Sequence, residues 1–250
     1  MAVIVGSARI DENGNAHGGK AGDQNGGKEV STQNWYAHSK GWYVLRAKSA
    51  EAQKKIGDAM LAACANNDIG YDQYQRDTLY NDVKAADFDP ARTTKPVECD
   101  CSSLVRVCVN YAGIAVGNFR TTNEASVLVA TGEFVKFTDD KHCKSSANLL
   151  YGDILVTRTQ GHTVVVLSDG VNAAEERTGI VTPSEDEPQN GVTVAPGSWN
   201  VRSAPMTKAK SIAIVRGGDK LNVIETDWLP VTLDDGSVGW ISPKGVLENG

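Results

Sequence analysis

The feature that most constrains this chain is an abrupt change of pattern at Cys101. The residues before it, 97–100, are partly polar. From Ser102 onward, apolar residues recur mostly at steps of three and four, as on the buried face of a helix, and Gly113 offers a stop. The pattern therefore predicts a helix that starts with a thiol in its first turn and has Asp100 as its cap.

The position of Cys101 favours nucleophilic chemistry. Unpaired N–H groups and the positive end of the helix dipole favour an anion, so we expect a lowered thiol pKa and a larger thiolate fraction. We also expect Asp100 to turn its carboxylate toward the helix N–H groups and away from the sulfur. The competing interpretation is that Cys101 only packs, because free cysteine is among the most buried residue types.

The remaining cysteines are predicted to be packing residues. They are Cys64, Cys99, Cys108 and Cys143. Zinc sites normally use cysteine pairs two to four residues apart together with a second pair, and the sequence offers neither around Cys99, Cys101 and Cys108. We therefore predict no metal site and no cofactor.

His162 supplies the base that a thiol nucleophile needs. Two runs rich in β-branched residues, 149–157 and 162–170, are joined through a glycine-containing loop. Such runs are typical of adjacent antiparallel strands. A histidine that opens the second strand is a candidate general base for Cys101.

A third group should orient the imidazole, and strand parity selects among the candidates. If Asp169–Gly170 is a two-residue turn into a further strand, Glu175 shares a face with His162. A register slip of one residue would reverse this choice. Glu175 is thus the first candidate, with Asn172 and Glu176 as alternatives.

These motifs resemble a known family. The segments 100–105 (DCSSLV), 152–155 (GDIL) and 161–162 (GH) resemble the NlpC-type branch of the papain-like cell-wall peptidases, relatives of the CHAP amidases. The resemblance spans residues 45–180 and implies an α+β, papain-like domain with helices packed on an antiparallel sheet. It also implies that Cys101 is the nucleophile, His162 the base and peptidoglycan the substrate, with Ser102 at the substrate.

A second resemblance covers the N-terminal part. Residues 19–24, 29–30 and 69–74 are similar to endolysins from phages and prophages of gut Firmicutes. In such enzymes a tyrosine upstream of the cysteine often lines the substrate groove, which makes Tyr71 the candidate here. An aromatic residue packed on the core is the alternative for this position.

The chain is long enough for a second, smaller domain. With 250 residues and 40% hydrophobic content it can bury one ordinary core and a small further one. Residues 182–191 are acidic, contain proline and lack large apolar side chains, so we predict a catalytic domain at 1–181, a linker and a domain at 192–250. The short strands of the last segment predict a small all-β barrel. Its motifs at 200–205 and 239–241 resemble bacterial SH3-type domains, which implies cell-wall binding.

Composition excludes some partners. A net charge of −6 without a basic cluster argues against nucleic acid. No stretch approaches the roughly 20 apolar residues of a membrane span. The N-terminus does not resemble a secretory signal, so we expect synthesis in the cytoplasm. The endolysin resemblance implies release through a holin-type pore and action on the cell wall.

The sequence therefore predicts a peptidoglycan hydrolase that cuts an amide bond of the stem peptide through an acyl-enzyme. Two alternatives stay open: a non-catalytic wall-binding protein on a papain-like scaffold, and a cysteine acyltransferase. The bond that is cut, the host and the oligomeric state are not fixed by the sequence.

Overall fold

The computed structural model describes residues 2–179 and, beyond them, seven short stretches: 191–194, 197–202, 211–216, 220–223, 229–232, 238–241 and 246–247. The chain divides into two compact units, Met1–Gly179 and Ile180–Gly250. All of the predicted linker except Gly191 lies outside the described residues.

The first unit is an α+β domain, as predicted. Its strands are β1 (Ile4–Ala8), β2 (Val30–Asn34), β3 (Trp42–Ala47), β4 (Ile69–Tyr71), β5 (Val97–Cys99), β6 (Phe134–Phe137), β7 (Ile154–Thr157) and β8 (Thr163–Val166). Six of them form one sheet in the order β2-β1-β8-β7-β3-β6, and every pairing in it is antiparallel. β4 and β5 form a separate parallel pair. The predicted antiparallel pairing of β7 with β8 is confirmed.

Six α-helices accompany the sheet: α1 (Ala50–Ala65), α2 (Thr78–Val83), α3 (Cys101–Tyr111), α4 (Glu124–Ala130), α5 (Asp140–Cys143) and α6 (Ala173–Gly179). Ser49 caps α1 by accepting a hydrogen bond from the N–H of Ala52, and Ile56 and Met60 are buried on the inner face of this helix. The sequence pattern predicts a helix to about Asn66, with Ser49 as its cap and Ile56, Met60 and Ala63 on one face, and both the cap and the buried face are confirmed. Among the described helices, none combines the length and apolar character required to cross a bilayer.

The sheet has an apolar cluster on each face. Successive residues of a strand point to opposite faces. Val165 of β8 therefore packs in the cluster that contains Ile56 of α1 and Leu104 of α3. Val164 packs on the other side in a cluster with Trp42. The face covered by α1 and α3 is the one that positions the candidate nucleophile.

The sequence pattern predicts one helix from about Asp72 to Ala86, and the structure corrects this prediction. The side chain of Asp72 accepts hydrogen bonds from the N–H groups of Tyr74 and Gln75 and so stabilises a turn. The helix α2 begins only at Thr78 and passes into a short 3-10 helix at Lys84–Ala86. A local side-chain bond to the backbone has displaced the start of the helix.

The predicted strand after Asp169–Gly170 is also wrong, because this segment leads into the helix α6. Gly170 packs so closely on the preceding loop that an added Cβ would lie 2.2 Å from the Ser146 carbonyl oxygen. The N–H of Asn172 donates to the carbonyl of Ala147. These contacts hold the chain against the 146–149 loop, so no hairpin forms with β8.

The described part of the second unit consists of β-strands. They are β9 (Gly191–Val194), β10 (Ser198–Arg202), β11 (Ser211–Arg216), β12 (Lys220–Val223), β13 (Leu229–Thr232), β14 (Val238–Ile241) and β15 (Val246–Leu247). They form a sheet in the order β11-β10-β14-β13-β12-β9-β15. Val201 and Ile241 are buried in this unit.

A buried ion-pair network ties α6 to the sheet. Arg46 of β3 donates two hydrogen bonds to Asp153, at 2.8 and 2.7 Å, and one to Glu176 of α6 at 3.1 Å. Asp153 is 0% exposed and also accepts hydrogen bonds from the side chain of Gln53 and the N–H of Leu150. Because the buried charges compensate one another, removal of one partner leaves the remaining charges buried and only partly compensated.

We therefore expect Asp153→Asn to lower the free energy of unfolding by about 3 kcal/mol, since the guanidinium of Arg46 loses its main counter-ion. Urea denaturation followed by circular dichroism would measure the change. Asp140→Asn removes an exposed ion pair with Lys144 and should cost less than about 0.5 kcal/mol. Equal losses in the two variants would contradict the importance of the buried pair.

Candidate active site

The candidate nucleophile Cys101 is the first residue of α3, as predicted. Asp100 caps the helix: its side chain accepts from the N–H of Ser103, and the Ser103 hydroxyl accepts from the N–H of Asp100. This reciprocal capping box satisfies two backbone donors at the helix start. The Asp100 carboxylate thus turns toward the backbone, which confirms the orientation expected for it.

Arg76 fixes this cap from outside the helix. Its guanidinium donates to both carboxylate oxygens of Asp100, at 2.6 and 3.1 Å, and to the hydroxyl of Ser102 at 2.9 Å. Further bonds reach the side chain of Asn118 and the carbonyl of Phe119. Burial alone would raise the pKa of the Asp100 carboxyl, but Arg76 holds it below its usual value. The position of the helix start is therefore set by one buried ion pair.

The strands β1 and β8 separate beside this helix. Their pairing comprises only Val5 with Val166 and Gly6 with Val165. Alternate residues of an antiparallel strand direct their N–H groups to opposite neighbours, and the N–H of Leu167 points to β1. By this alternation the N–H of Thr163 also points toward β1, but it lies beyond the last residue pair that joins β1 to β8. A group outside the sheet can therefore approach it.

That group is the sulfur of Cys101. Burial is the largest influence on this thiol and, together with the carboxylates of Asp100 and Glu124, raises its pKa to about 12. The N–H groups of Thr163 and Ser102 act in the opposite direction and are weaker. The prediction of a lowered pKa is wrong. Cys101 is only 8% exposed, and desolvation of its thiolate raises the pKa more than the N–H groups and dipole of the helix start lower it. At neutral pH the side chain of Cys101 is therefore a neutral thiol.

His162 lies directly before β8. Its backbone N–H donates to the hydroxyl of Thr157, and the Nε2 of its ring lies 3.3 Å from the Oγ of Ser7. Burial lowers the pKa of the imidazole to about 4, and the positive charges of His38 and Arg9 contribute to this shift. The imidazole is therefore neutral above about pH 4 and able to accept a proton.

Cys101 and His162 meet at the same end of β8. The sulfur faces the N–H of Thr163, the residue that follows His162. In the described part of the chain no hydrogen bond joins the sulfur to the imidazole. Catalytic hydrogen bonds are often long before substrate binds, so the arrangement is compatible with proton transfer in a complex.

The structure places Glu175 and its alternatives in or just before α6, which follows the end of β8 opposite to His162. Glu175 is exposed on α6 because the predicted hairpin does not form. Glu176 accepts from Arg46 in the buried network, and its carboxylate lies 2.9 Å from the Nε2 of His142. Asn172 bonds to the side chain of Asn148. The strand-parity argument for the third group fails with the hairpin on which it rested.

The two predicted substrate contacts occupy internal positions. Tyr71 in β4 is 4% exposed and belongs to the apolar cluster under α1 and α3, and its hydroxyl accepts from the side chain of Gln73. The hydroxyl of Ser102 donates to Asp100 and accepts from Arg76. In this structure both hydroxyl groups are engaged in internal hydrogen bonds.

Glu124 is a buried acid that the sequence did not single out. It opens α4, is 0% exposed and accepts a 2.6 Å hydrogen bond from the hydroxyl of Thr163. Its Oε2 has no hydrogen-bond partner among the described residues. Burial raises the pKa of Glu124 to about 8. An acidic residue at a helix start ordinarily indicates dipole compensation, so the sequence carried no signal for this role.

The site therefore combines a neutral thiol, a neutral imidazole and a protonated carboxyl at neutral pH. This set can perform general-base-assisted attack by sulfur. Within the described ranges, no three His, Cys, Asp or Glu side chains are arranged to hold a metal ion, and Cys64, Cys99, Cys108 and Cys143 are free.

The raised pKa of Glu124 predicts a pH-dependent stability. Between its usual value of 4.5 and about 8, the folded state holds this proton more tightly than the unfolded state does. The contribution of the Glu124 proton to the free energy of unfolding is thus fully present below pH 4.5 and is lost as the pH rises toward 8. Glu124→Gln should make the fall in unfolding free energy across this range shallower by about 1 kcal/mol per pH unit.

Urea denaturation at pH 5, 6, 7 and 8 would measure the two slopes. Glu133→Gln changes an exposed carboxylate near the end of the same helix and serves as the control. If wild type, Glu124→Gln and the control lose stability in parallel, the buried carboxyl does not hold the proton.

Comparison with known proteins gives two family matches. Residues 5–173 match the endolysin-like domain, and residues 197–247 match a bacterial SH3 domain. No curated protein and no solved structure matches the chain. The first match indicates a cell-wall hydrolase and the second indicates cell-wall binding. Because the first match covers more than half of the chain, this protein belongs to the endolysin-like domain family.

Proposed function

We propose that the chain cleaves an amide bond of the peptidoglycan stem peptide as a papain-like cysteine peptidase of the NlpC type. The supporting observation is the separation of β1 from β8, which lets the sulfur of Cys101 face the N–H of Thr163, next to His162. A thiol at a helix start and an imidazole at the end of a neighbouring strand are the two groups this chemistry requires.

The proposed reaction has two stages. The sulfur of Cys101 attacks the substrate carbonyl carbon while its proton passes to His162, and the N–H of Cys101 helps hold the oxyanion. The C–N bond then breaks, the amine takes the proton from His162 and a thioester remains. Water attacks the thioester with His162 again as the base, which frees the acid and restores the thiol.

The pKa shifts of Cys101 and His162 determine the protonation state from which this mechanism starts. The pKa of His162 is lowered to about 4 by burial, and the pKa of Cys101 is raised to about 12 by burial. The resting pair at neutral pH is therefore thiol and imidazole, not thiolate and imidazolium. Proton transfer accompanies attack on the carbonyl, and substrate that displaces water strengthens the hydrogen bonds that drive it.

The second unit is proposed to hold the enzyme on the cell wall. The bacterial SH3 match covers residues 197–247, and Trp199 of β10 is half-buried, so part of its ring surface is accessible. From the sequence, Trp199, Trp228 and Trp240 are candidates for a stacking surface or, equally, for a core. Trp228 lies outside the described residues, and Trp240 is placed only by its position in β14. We propose that peptidoglycan is the partner of both units and that the protein acts on the wall after release from the cell that makes it.

The competing hypothesis is a wall-binding protein without catalysis. The observation in its favour is the burial of Cys101 and the raised pKa of its thiol. A cysteine acyltransferase would share the thioester stage and replace water by an amine. The products released from purified walls separate the three hypotheses.

Replacement of the nucleophile is the first test. We expect Cys101→Ala and His162→Ala to lower clearing of purified cell walls by at least about 1,000-fold, since each removes a group required for attack. Co-sedimentation with walls should remain unchanged. The control Cys143→Ala removes a buried free thiol in α5 and should retain activity. Clearing by Cys101→Ala at the wild-type rate would reject the hydrolase.

Removal of the second unit tests targeting. A chain that ends at residue 191 should bind purified walls about tenfold more weakly, because it loses the bivalent attachment of enzyme and wall-binding unit. Its rate on soluble peptidoglycan fragments should stay within about twofold of wild type, because avidity acts only on the polymer. Undiminished sedimentation of the shortened chain with walls would show that residues beyond 191 do not target the enzyme.

A further inference from the structure

The ring of His162 contacts a residue that lies 155 positions away in the chain. Ser7 of β1 is 1% exposed, and its Oγ lies 3.3 Å from the Nε2 of His162. Among the described residues this is the only hydrogen bond that either the Ser7 hydroxyl or the His162 ring makes. The contact is therefore a specific pairing of one ring nitrogen with one hydroxyl.

The place of Ser7 follows from the fold. Ser7 and Val5 lie two residues apart on β1 and so share the face of the sheet opposite α1 and α3, where Val5 packs in the cluster with Trp42. The pairing of β1 with β8 ends at Gly6, immediately before Ser7. The hydroxyl of Ser7 thus meets His162 from that face, at the point where the strands have separated. The sulfur of Cys101 approaches the same gap from the helix side, at the N–H of Thr163.

We propose that Ser7 is the positioning residue of the candidate site and accepts a hydrogen bond from the Nε2–H of His162. This inference rests on the proposed function. With Nε2 protonated and directed to Ser7, Nδ1 is the unprotonated nitrogen and can accept the proton of Cys101. Ser7 takes the place for which the sequence had suggested Glu175, and acts through His162 without contact with substrate.

A hydroxyl in this place has a distinct electrostatic consequence. A carboxylate would stabilise the imidazolium by a full charge, whereas a hydroxyl offers only a dipole. Arg9 and, in its protonated form, His38 disfavour protonation of His162. The site is thus arranged to keep the imidazole neutral and to fix which nitrogen carries the proton.

Three variants test the positioning role by kinetics on soluble peptidoglycan fragments. Ser7→Ala should lower kcat about tenfold with KM unchanged, the loss expected for one neutral hydrogen bond to the base. Ser7→Thr keeps a hydroxyl and should recover kcat to within about threefold. The control Ser31→Ala removes the hydroxyl of the cross-strand partner, which donates to the carbonyl of Lys28, and should match wild type. Wild-type kcat in Ser7→Ala would overturn the proposal.

A second measurement does not require activity and separates failure of this inference from failure of the proposed function. In a Cys101→Ala background, nitrogen-15 NMR titration of His162 compares Ser7→Asp with the isosteric Ser7→Asn. The carboxylate should raise the His162 pKa by at least about one unit relative to the amide, since it faces Nε2 directly. Equal pKa values in the two variants would overturn the placement of Ser7. If instead Cys101→Ala clears walls normally, the hydrolase fails while the Ser7 contact stands.

Discussion

The ion pair between Arg76 and Asp100 is the interaction on which the candidate site depends. Asp100 caps α3 and directly precedes Cys101, so its carboxylate determines where the helix begins and where the thiol lies. A carboxylate beside the sulfur of this candidate nucleophile would also oppose formation of the thiolate. The guanidinium reduces this conflict, because it pairs with both carboxylate oxygens and is itself bonded to Ser102 and Phe119. Helix capping and charge compensation are thus achieved by the same buried contact.

Burial then determines the chemistry of the thiol. A helix start favours an anion by a modest amount, whereas full desolvation of a sulfur can shift its pKa by several units. Cys101 is in the second situation, and the nearby carboxyl of Glu124 adds to it. An imidazole with a lowered pKa is matched to such a thiol, because neither group is charged before substrate arrives. A neutral pair also avoids the cost of keeping two opposite charges in a poorly solvated site.

The sequence predicted the elements whose signals are local. The cap at Asp100, the start of α3, the cap and buried face of α1 and the pairing of β7 with β8 follow from spacing and capping chemistry, and all are observed. The hairpin beyond Gly170 was mispredicted because close packing of that glycine on the 146–149 loop outweighs an Asp-Gly turn signal. Glu175 therefore loses its support as the third group, because the alternation of faces along a strand does not apply to a residue in a helix.

The residues that the sequence missed are those brought to the site only by tertiary contacts. Arg76, Glu124 and Ser7 each lie in an unremarkable local pattern, and each acquires its role through a partner at least 24 positions away in the chain. The thiol pKa was mispredicted for the same reason, because a local argument includes the helix dipole but omits the layer that covers the sulfur. What local sequence cannot supply here is the point at which β1 leaves β8. That separation exposes the N–H of Thr163 to Cys101 and brings the hydroxyl of Ser7 to the imidazole, so it joins two otherwise unrelated segments into one candidate site.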